Sequence, residues 1–543
     1  MKKFRGNPWA VLLVVSLGFF MTLLDLTIVN IAIPNMITKL HASLDDILWV
    51  LNAYALVLAV LVITAGRLGD LIGPRPMFTA GIAVFTAASA ACGFAPSPGW
   101  LIGFRAIQGL GAAMLMPQTL TIITNTFPPE RRGAAFGVWG AVAGVATIAG
   151  PTLGGLLVTA FDWRYIFFVN LPFGVLVLIL TPLIIPNVVP GRRHRFDIPG
   201  VLLASAALLA ICYGLVEGQK YNWGTITGFI SIPLVLGLGV LLLAAFLLVQ
   251  RMTQGKEPLV PFALFRDRNY TVTNWISGVL AIGMMGIFLP FTIYLQSVLG
   301  FTALKAGLAL APASLISLFV APVAGRMTDK IGGKYILMSG LILFGAGMGW
   351  LALIAHPNSN WPSFLAPLIV AGLGLGCIFA PLITTAMRDV PPQLAGAASG
   401  VLNTVRQVGL VIGTAAVGAL LSNRLVSSMT SEAASRTAVL PPQVRSHIMS
   451  QIQQSAKNGI QVGAGQNGSA SHKIPGAPPA LLAEIGRIIH DVFAYAYVTA
   501  MRQTMILPVV LLGIGALSCL ALKGRKPAPQ PVPEQVEEAP TRA

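Results

Sequence analysis

The chain has 543 residues, of which 55% are hydrophobic and 10% are charged, with a mean hydropathy of +0.78. This composition excludes a soluble globular enzyme. The net charge of +17 would suit a nucleic-acid-binding protein, but most lysines and arginines fall on the tails and on alternate loops between apolar segments. That distribution is the positive-inside pattern of a membrane protein, and it argues against a nucleic-acid partner.

Apolar segments long enough to cross a membrane follow one another along the chain, and we count fourteen. With the N-terminus in the cytoplasm, the basic loops also lie there, and so do both termini. We therefore predict an all-α, multi-pass protein of a bacterial cell membrane, surrounded by membrane lipids. The predicted spans are 9–34, 46–66, 77–95, 99–124, 135–160, 165–186, 198–217, 225–249, 270–297, 303–324, 336–355, 362–387, 396–422 and 494–522.

Repeated motifs divide these spans into two six-helix halves. The segment 66–75 recurs at 325–334, and the glycines of 109–111 recur at 372–374. Two repeated multi-span units that face each other are a transporter architecture, with the function in the cavity between them. The predicted parts are an N-terminal half at 1–186, a two-helix insert with cytoplasmic linkers at 187–269, a C-terminal half at 270–522 that includes a long polar outer loop at 423–493, and a disordered cytoplasmic tail at 523–543.

Two charges inside first-half spans have no counterpart in the second half. Asp25 lies near the middle of the first span, where an acid costs about 2.5–3.5 kcal/mol on insertion scales, so it should face a wet cavity or a partner and can exchange a proton. Arg105 lies in the fourth span, and its repeat counterpart is Leu368. A guanidinium keeps its charge and would tune a carboxylate or hold a carbonyl. A structural pairing of Asp25 and snorkelling of Arg105 to the outer surface are the alternatives.

The repeated loop at 66–75 is a candidate gate. Its glycines suit a tight turn, and its aspartate can cap a neighbouring helix or pair with a base. Charge pairs of this kind between the halves would hold an inner gate shut, whereas a plain solvated turn is the alternative. The predicted gating residues are Gly66, Asp70, Gly73, Arg75, Arg326 and Asp329.

The fifth span combines small residues at helical spacing with an interior proline. Small residues let helices approach closely, and a proline bends a helix and frees a carbonyl group. This is a packing and hinge signal without catalytic content. The predicted hinge residues are Gly144, Gly150, Pro151 and Gly154.

Polar residues of other spans are candidates for a substrate cavity. Arg406 is a further one-sided charge, since the first half has Ala143 at the matching position. It is either a base in the cavity or a residue that snorkels to the inner surface, and interfacial anchoring is the alternative for the aromatic candidates. The candidates are Asn30, Trp49, Asn52, Tyr54, Tyr294, Gln296, Asn403, Arg406 and Gln407.

The sequence contains no metal-ligand cluster, no nucleophile–base constellation and no phosphate-binding loop. We therefore expect no enzyme activity, no metal and no cofactor, and an ion gradient as the energy source. The four cysteines fall inside predicted spans, where they are expected to be small core residues.

Several of these motifs, in this order, resemble those of the fourteen-span drug/proton antiporter family of the major facilitator superfamily. They are the first-span motif at 24–34, the loop at 66–75, the stretch at 105–113, the glycine-rich span at 140–155, and the segments at 163–172 and 403–407. The resemblance implies proton-driven export by alternating access. It also implies that Asp25 and Arg105 couple proton movement to transport, that Asp70 and Arg75 form the gate, and that 150–151 is the hinge.

The chain departs from the family pattern at two places. Prolines flank Arg75 where the family often has further bases, which would weaken the gate. No acid lies inside a second-half span, which makes divalent organic cations unsuitable cargo and favours neutral or monocationic lipophilic molecules.

These observations predict a secondary transporter that exports lipophilic drugs or metabolites in exchange for protons. The alternatives are a dedicated exporter of one endogenous product (an antibiotic, a siderophore or a lipid), an uptake symporter, and a non-transporting scaffold or sensor that uses loop 423–493. The expected partners are protons, membrane lipids and a lipophilic small molecule, and a periplasmic adaptor on the outer loop is a further candidate.

Overall fold

Long apolar helices make up most of the chain in the computed structural model. The structure describes residues 6–42, 44–187, 197–218, 220–256, 258–436 and 479–524. Thirteen helices in this part are long and apolar enough to cross a membrane by length and composition. A further 29-residue helix occupies the place of the fifth predicted span, but some of its side chains are not described and it is not among the thirteen. The count of fourteen spans therefore stays a prediction.

The first half alternates direction across the bundle, and prolines begin three of its helices at the first position, where a missing N–H costs no helical hydrogen bond. The side on which the first helix begins is called the inner side below. The helices are α1 (Pro8–Leu40), α2 (Leu44–Ile72), α3 (Pro74–Gly93), α4 (Pro98–Thr126), α5 (Arg132–Ala160), the short α6 (Tyr165–Phe168) and α7 (Asn170–Ile184).

The insert contains two helices, α8 (Ile198–Glu217) and α9 (Ile232–Met252), joined by a hairpin of β1 (Thr225–Thr227) and β2 (Ile230–Ser231). The span predicted to begin at 225 therefore begins at Ile232. β-branched residues favour the extended conformation, and Gly228 turns the chain with a φ of +52°. The predicted basic linker at 188–196 lies outside the described residues.

The second half repeats the alternation but departs from the predicted spans at two places. The span at 362–387 is broken into two helices between Gly376 and Phe379, where closely spaced glycines weaken the helix. Residues 423–436, predicted to open the polar outer loop, are instead the last turns of α15. The helices are α10 (Arg268–Ile293), followed by a π-helical turn (Tyr294–Val298), α11 (Ala303–Ile331), α12 (Lys334–Ile354), α13 (Leu365–Gly376), α14 (Phe379–Met387), α15 (Ala395–Arg436) and α16 (Pro479–Ser518).

The outer loop and the tail lie largely outside the described residues. Of the predicted loop 423–493, residues 437–478 are not described, and 479–493 are helical. Of the predicted tail, 525–543 are not described.

The halves meet along two helix pairs. α5 and α11 pack from their inner to their outer ends, since Gly133 lies against Gly325 and Gly155 lies against Leu304. α2 and α15 bring their backbones together at the inner end, where a methyl group on Gly66 would lie 2.6 Å from the carbonyl oxygen of Gly396. The bundle is therefore closed at its inner end.

Candidate functional site

A buried carboxylate–guanidinium pair lies in the interior of the first half. Asp25 on α1 is 0% exposed and Arg105 on α4 is 1% exposed. Arg105 Nη1 lies 2.5 Å from Asp25 Oδ2, and its Nε donates to the carbonyl oxygen of Val50 at 3.1 Å. Buried charges are tolerated when they are paired and hydrogen-bonded. The two one-sided charges of the first half thus share one site, and Arg105 does not snorkel to the outer surface.

Two amide side chains complete the surroundings of this carboxylate. Gln108 Nε2 donates to Asp25 Oδ1 at 2.9 Å, and Asn170 Nδ2 donates to the same oxygen at 3.2 Å. Gln108 also accepts from Arg105 Nη1 at 2.7 Å, and Asn170 Nδ2 lies 3.1 Å from Ser89 Oγ. Gln108 and Asn170 belong to motifs noted in the sequence but received no role there, and Ser89 carries no sequence signal.

Tyr54 lies on the other side of the guanidinium. Its ring centroid is 4.4 Å from Arg105 Cζ, a cation–π distance, and the residue is fully buried. Tyr54 was predicted to line the substrate cavity. It instead belongs to the buried pair, where it helps to fix the plane of the guanidinium.

The buried site is connected to α5, the helix with the predicted hinge. Thr27, two residues after Asp25, donates its hydroxyl within α1 to the carbonyl oxygen of Leu24 at 3.0 Å, and the hydroxyl oxygen lies 3.4 Å from the carbonyl oxygen of Ala146 on α5. A methyl group on Gly150 would overlap the Thr27 side chain, so the glycine permits this close approach. Gly144 and Gly154 are buried in the same helix. The side chain of Pro151 lies outside the described residues.

At the inner end, Asp70 joins α2 to the start of α15. Its Oδ1 accepts from the backbone N–H of Gly396 at 2.8 Å, and its Oδ2 accepts from that of Ala397 at 2.7 Å. Free N–H groups and the helix dipole make a helix start a favourable position for a carboxylate. The predicted alternative of a plain solvated turn is therefore wrong for Asp70.

The second copy of the motif makes the same contact on the opposite pair of helices. Asp329 on α11 accepts from the backbone N–H of Gly133 at 2.7 Å and from that of Ala134 at 2.9 Å, at the start of α5. Each half thus contributes one aspartate, and each half binds the aspartate of the other half at the start of one of its helices. The sequence predicted that these acids could cap a neighbouring helix but did not identify which helix.

The predicted basic gating residues do not take part in these two contacts. Arg75 donates to the carbonyl oxygen of Pro182, within the first half. Arg326 is exposed, whereas Arg67, which was not predicted, is buried and lies 3.9 Å from Asp70. Gly73 has a φ of +109° at the junction of α2 and α3, which fits its predicted turn role.

Two of the predicted cavity residues lie in packed surroundings. Tyr294 is fully buried, and its hydroxyl donates to the carbonyl oxygen of His356 at 2.6 Å. Trp49 packs against Tyr213 of the insert, with ring centroids 6.0 Å apart. Aromatic residues near span ends look alike in sequence whether they line a cavity or fill a core. Tyr294 lies in the core, whereas the cavity role of the partly exposed Trp49 stays a prediction.

The remaining candidates keep polar groups on helices near the interface between the halves. Asn30 on α1 is exposed, whereas Asn52 on α2 and Gln296 in the π-helical turn are partly exposed. Asn403, Arg406 and Gln407 lie on α15. Among the described residues, no group of three or more His, Cys, Asp or Glu side chains is placed to hold a metal ion.

Comparisons with known proteins agree with this architecture. The family model described as Major Facilitator Superfamily matches residues 15–414. An uncharacterized MFS-type transporter of Mycobacterium tuberculosis is 35% identical over 98% of this chain and 84% of its own. The tetracenomycin C resistance and export protein of Streptomyces glaucescens is 35% identical over 78% of this chain and 77% of its own.

The fold is also similar to that of a solved structure. The human organic anion transporter MFSD10 superposes with a TM-score of 0.55, covering 93% of this chain and 99% of its own. Its sequence identity is 12%, so the likeness bears on the fold alone.

Proposed function

Because the chain belongs to the Major Facilitator Superfamily, we propose that it exports lipophilic drugs or metabolites in exchange for protons by alternating access. It is a multi-pass transporter of the bacterial cell membrane and not an enzyme. The export direction and the proton coupling are the proposed parts. The tetracenomycin relative, which is a resistance and export protein by name, supports the direction.

The observation that carries the proton coupling is the buried site around Asp25. Asp25 is a carboxylate enclosed among membrane helices beside an arginine that cannot discharge, and in the proposed cycle it is the group that carries the proton. Its hydrogen bonds come from α4 and α7, and Thr27 connects it to α5. A change in the protonation of Asp25 would therefore alter contacts among four helices of the first half.

The inner contacts supply the second element of an alternating-access cycle. Asp70 and Asp329 hold the inner end closed, and both contacts must break for that end to open. In the proposed cycle, Asp25 is deprotonated when substrate enters from the inner side. Protonation from the outer side then releases the substrate and resets the halves.

Export of one endogenous product stays an alternative within transport. The scaffold reading is disfavoured, because a scaffold needs neither a buried acid–base pair nor two reciprocal inner contacts.

The test is transport in proteoliposomes with an imposed pH gradient, comparing the native chain with Asp25→Asn. Three dansyl compounds of charge −1, 0 and +1 (dansylglycine, its methyl ester and dansylcadaverine) serve as probes, so that charge preference does not decide the result. We expect gradient-driven movement of at least one probe in the native chain and its loss in Asp25→Asn. Asp389→Asn, on an exposed inner segment, is the matched control and should transport normally. Normal gradient-driven transport by Asp25→Asn would overturn the proton-coupling role.

A further inference from the structure

Arg406 lies deep in the second half, away from both ends of its span. It is ten residues beyond Gly396, which is about 15 Å along the helix axis at the usual rise. The hydrocarbon core of a bilayer is about 30 Å thick, so the side chain begins near its middle. This depth favours a cavity position over the predicted alternative in which Arg406 snorkels to the inner surface.

The face of α15 that carries Arg406 runs between α4 of the first half and α10. Ser399 lies two helical turns nearer the inner end on the same face, and its hydroxyl oxygen lies 3.1 Å from the carbonyl oxygen of Pro117 on α4. Gly409, one turn beyond Arg406, lies against Gly278 of α10, and Gly413, two turns beyond, lies against Ile282. The partly exposed Arg406 therefore lies where α15 leaves α4 and meets α10.

The neighbouring part of α4 is apolar. Leu110 shares the face of α4 that carries Pro117, seven residues nearer the outer end. It is 37% exposed, as expected where the halves separate above the closed inner end. A molecule between α4 and α15 would meet an apolar surface on one side and a guanidinium on the other.

The charge of Arg406 is not compensated. Its Nη2 donates to the neutral Oδ1 of Asn403 at 2.9 Å, and no carboxylate in the described part of the chain pairs with it. By contrast, Arg105 is paired with Asp25, and Arg502 donates to carbonyl oxygens of Ala352, Leu353 and Ala355 at the end of α12. Arg406 is partly exposed and keeps most of its five N–H groups free for a ligand.

A neighbouring amide is also without a partner. Gln407 is 9% exposed, and its side chain makes no hydrogen bond among the described residues. Its amide atoms are not among the fully buried ones, so they can hydrogen-bond a ligand that reaches them.

We propose that Arg406, with Asn403 and Gln407, forms the polar end of the substrate site, and that this site selects amphiphilic anions carrying a carboxylate, sulfonate or phosphate. The proposal rests on the proposed transport function and assigns its substrate class. A guanidinium binds such groups through two parallel hydrogen bonds. It also disfavours cations, so this assignment replaces the monocationic cargo favoured by the sequence.

The test is equilibrium binding of the same three dansyl compounds to the detergent-purified full chain, followed by dansyl fluorescence. We expect the native chain to bind dansylglycine at least tenfold more tightly than its methyl ester and to bind dansylcadaverine most weakly. Arg406→Gln should abolish the preference for the anion, and Arg406→Lys should retain part of it. Arg424→Gln is the matched control, because Arg424 is exposed on the same face of α15, eighteen residues further along.

Binding needs no pH gradient, so this result is independent of the proton-coupling test. An anion preference that persists in folded Arg406→Gln would overturn the assignment of Arg406. If Arg406→Gln does not fold, the native chain alone decides, and ester binding equal to or tighter than that of dansylglycine overturns the proposal. Absence of binding of all three probes to a monodisperse native chain would also overturn it.

Discussion

Replacement of Asp70 by asparagine tests whether the acid-to-helix contacts hold the inner end closed. Asp70 receives two backbone hydrogen bonds from the start of α15. Asparagine has one acceptor oxygen and no charge, so one N–H loses its acceptor and the helix dipole loses its anion. A hydrogen bond to a charged group contributes about 1.5–3 kcal/mol, and a charge at a helix start contributes about 0.3–1 kcal/mol.

The inner-closed state should therefore lose about 2–4 kcal/mol relative to the inner-open state, because only the closed state has this contact. At 1.4 kcal/mol per tenfold change, the closed-to-open ratio should fall roughly 30- to 700-fold. Asp329→Asn should lower the closed-to-open ratio by a similar factor, because the two hydrogen bonds of Asp329 have similar lengths. The two effects should add, since the contacts involve separate helix pairs.

The assay is electron–electron double resonance in lipid nanodiscs. Spin labels at Ile72 and Gln393, both exposed, flank the contact between α2 and α15, in a chain whose four cysteines are replaced by alanine. The fraction of molecules with a longer distance between the two spin labels should increase in Asp70→Asn. This longer distance should predominate when Asp329→Asn is added. Asp389→Asn, which alters an exposed ion pair, should leave the distribution unchanged. An unchanged distance distribution in the double variant would refute the role of these two contacts in holding the inner end closed.

Three further predictions follow from the packing and hydrogen bonds. Gly66→Val should reduce the rate of transport in proteoliposomes at least tenfold, because the added side chain would clash with the backbone of Gly396. Gly237→Val should leave the rate unchanged, because Gly237 has open space around it. Tyr294→Phe should lower the free energy of unfolding by about 0.5–1.5 kcal/mol, because the tyrosine hydroxyl is hydrogen-bonded in the core. The KM for substrate should not change, and a changed KM would show that Tyr294 lines the cavity. Arg502→Gln should lower the unfolding temperature through loss of the hydrogen bonds to the end of α12, and an unchanged temperature would contradict that role.

Features that depend on repetition and on the cost of charges in lipid could be predicted from the sequence. Asp25 and Arg105 were recognisable because each breaks the symmetry of the repeat at a depth where a charge is expensive. Asp70 and Asp329 were recognisable for the opposite reason, since both copies keep them.

Features that depend on partners far along the chain could not be predicted. Asn170 hydrogen-bonds Asp25 across 145 residues of sequence, and no local pattern encodes that distance. The burial of Tyr294 likewise depends on Phe364 of a later segment, whose ring centroid lies 6.1 Å from that of Tyr294. The hairpin at 225–231 was overlooked because it directly precedes the strongly apolar helix α9 and was counted as the start of that span.

The two inner contacts have the geometry of an isologous interface. Between identical subunits, such an interface uses the same patch twice, and each partner gives what it receives. Here each half gives a carboxylate from one helix and receives a carboxylate at the start of another. The receiving groups are backbone N–H groups of Gly396, Ala397, Gly133 and Ala134, so most side-chain substitutions on the receiving side leave them in place. A single six-helix half therefore carries both parts of the contact, and two copies of one half would be self-complementary at their inner ends.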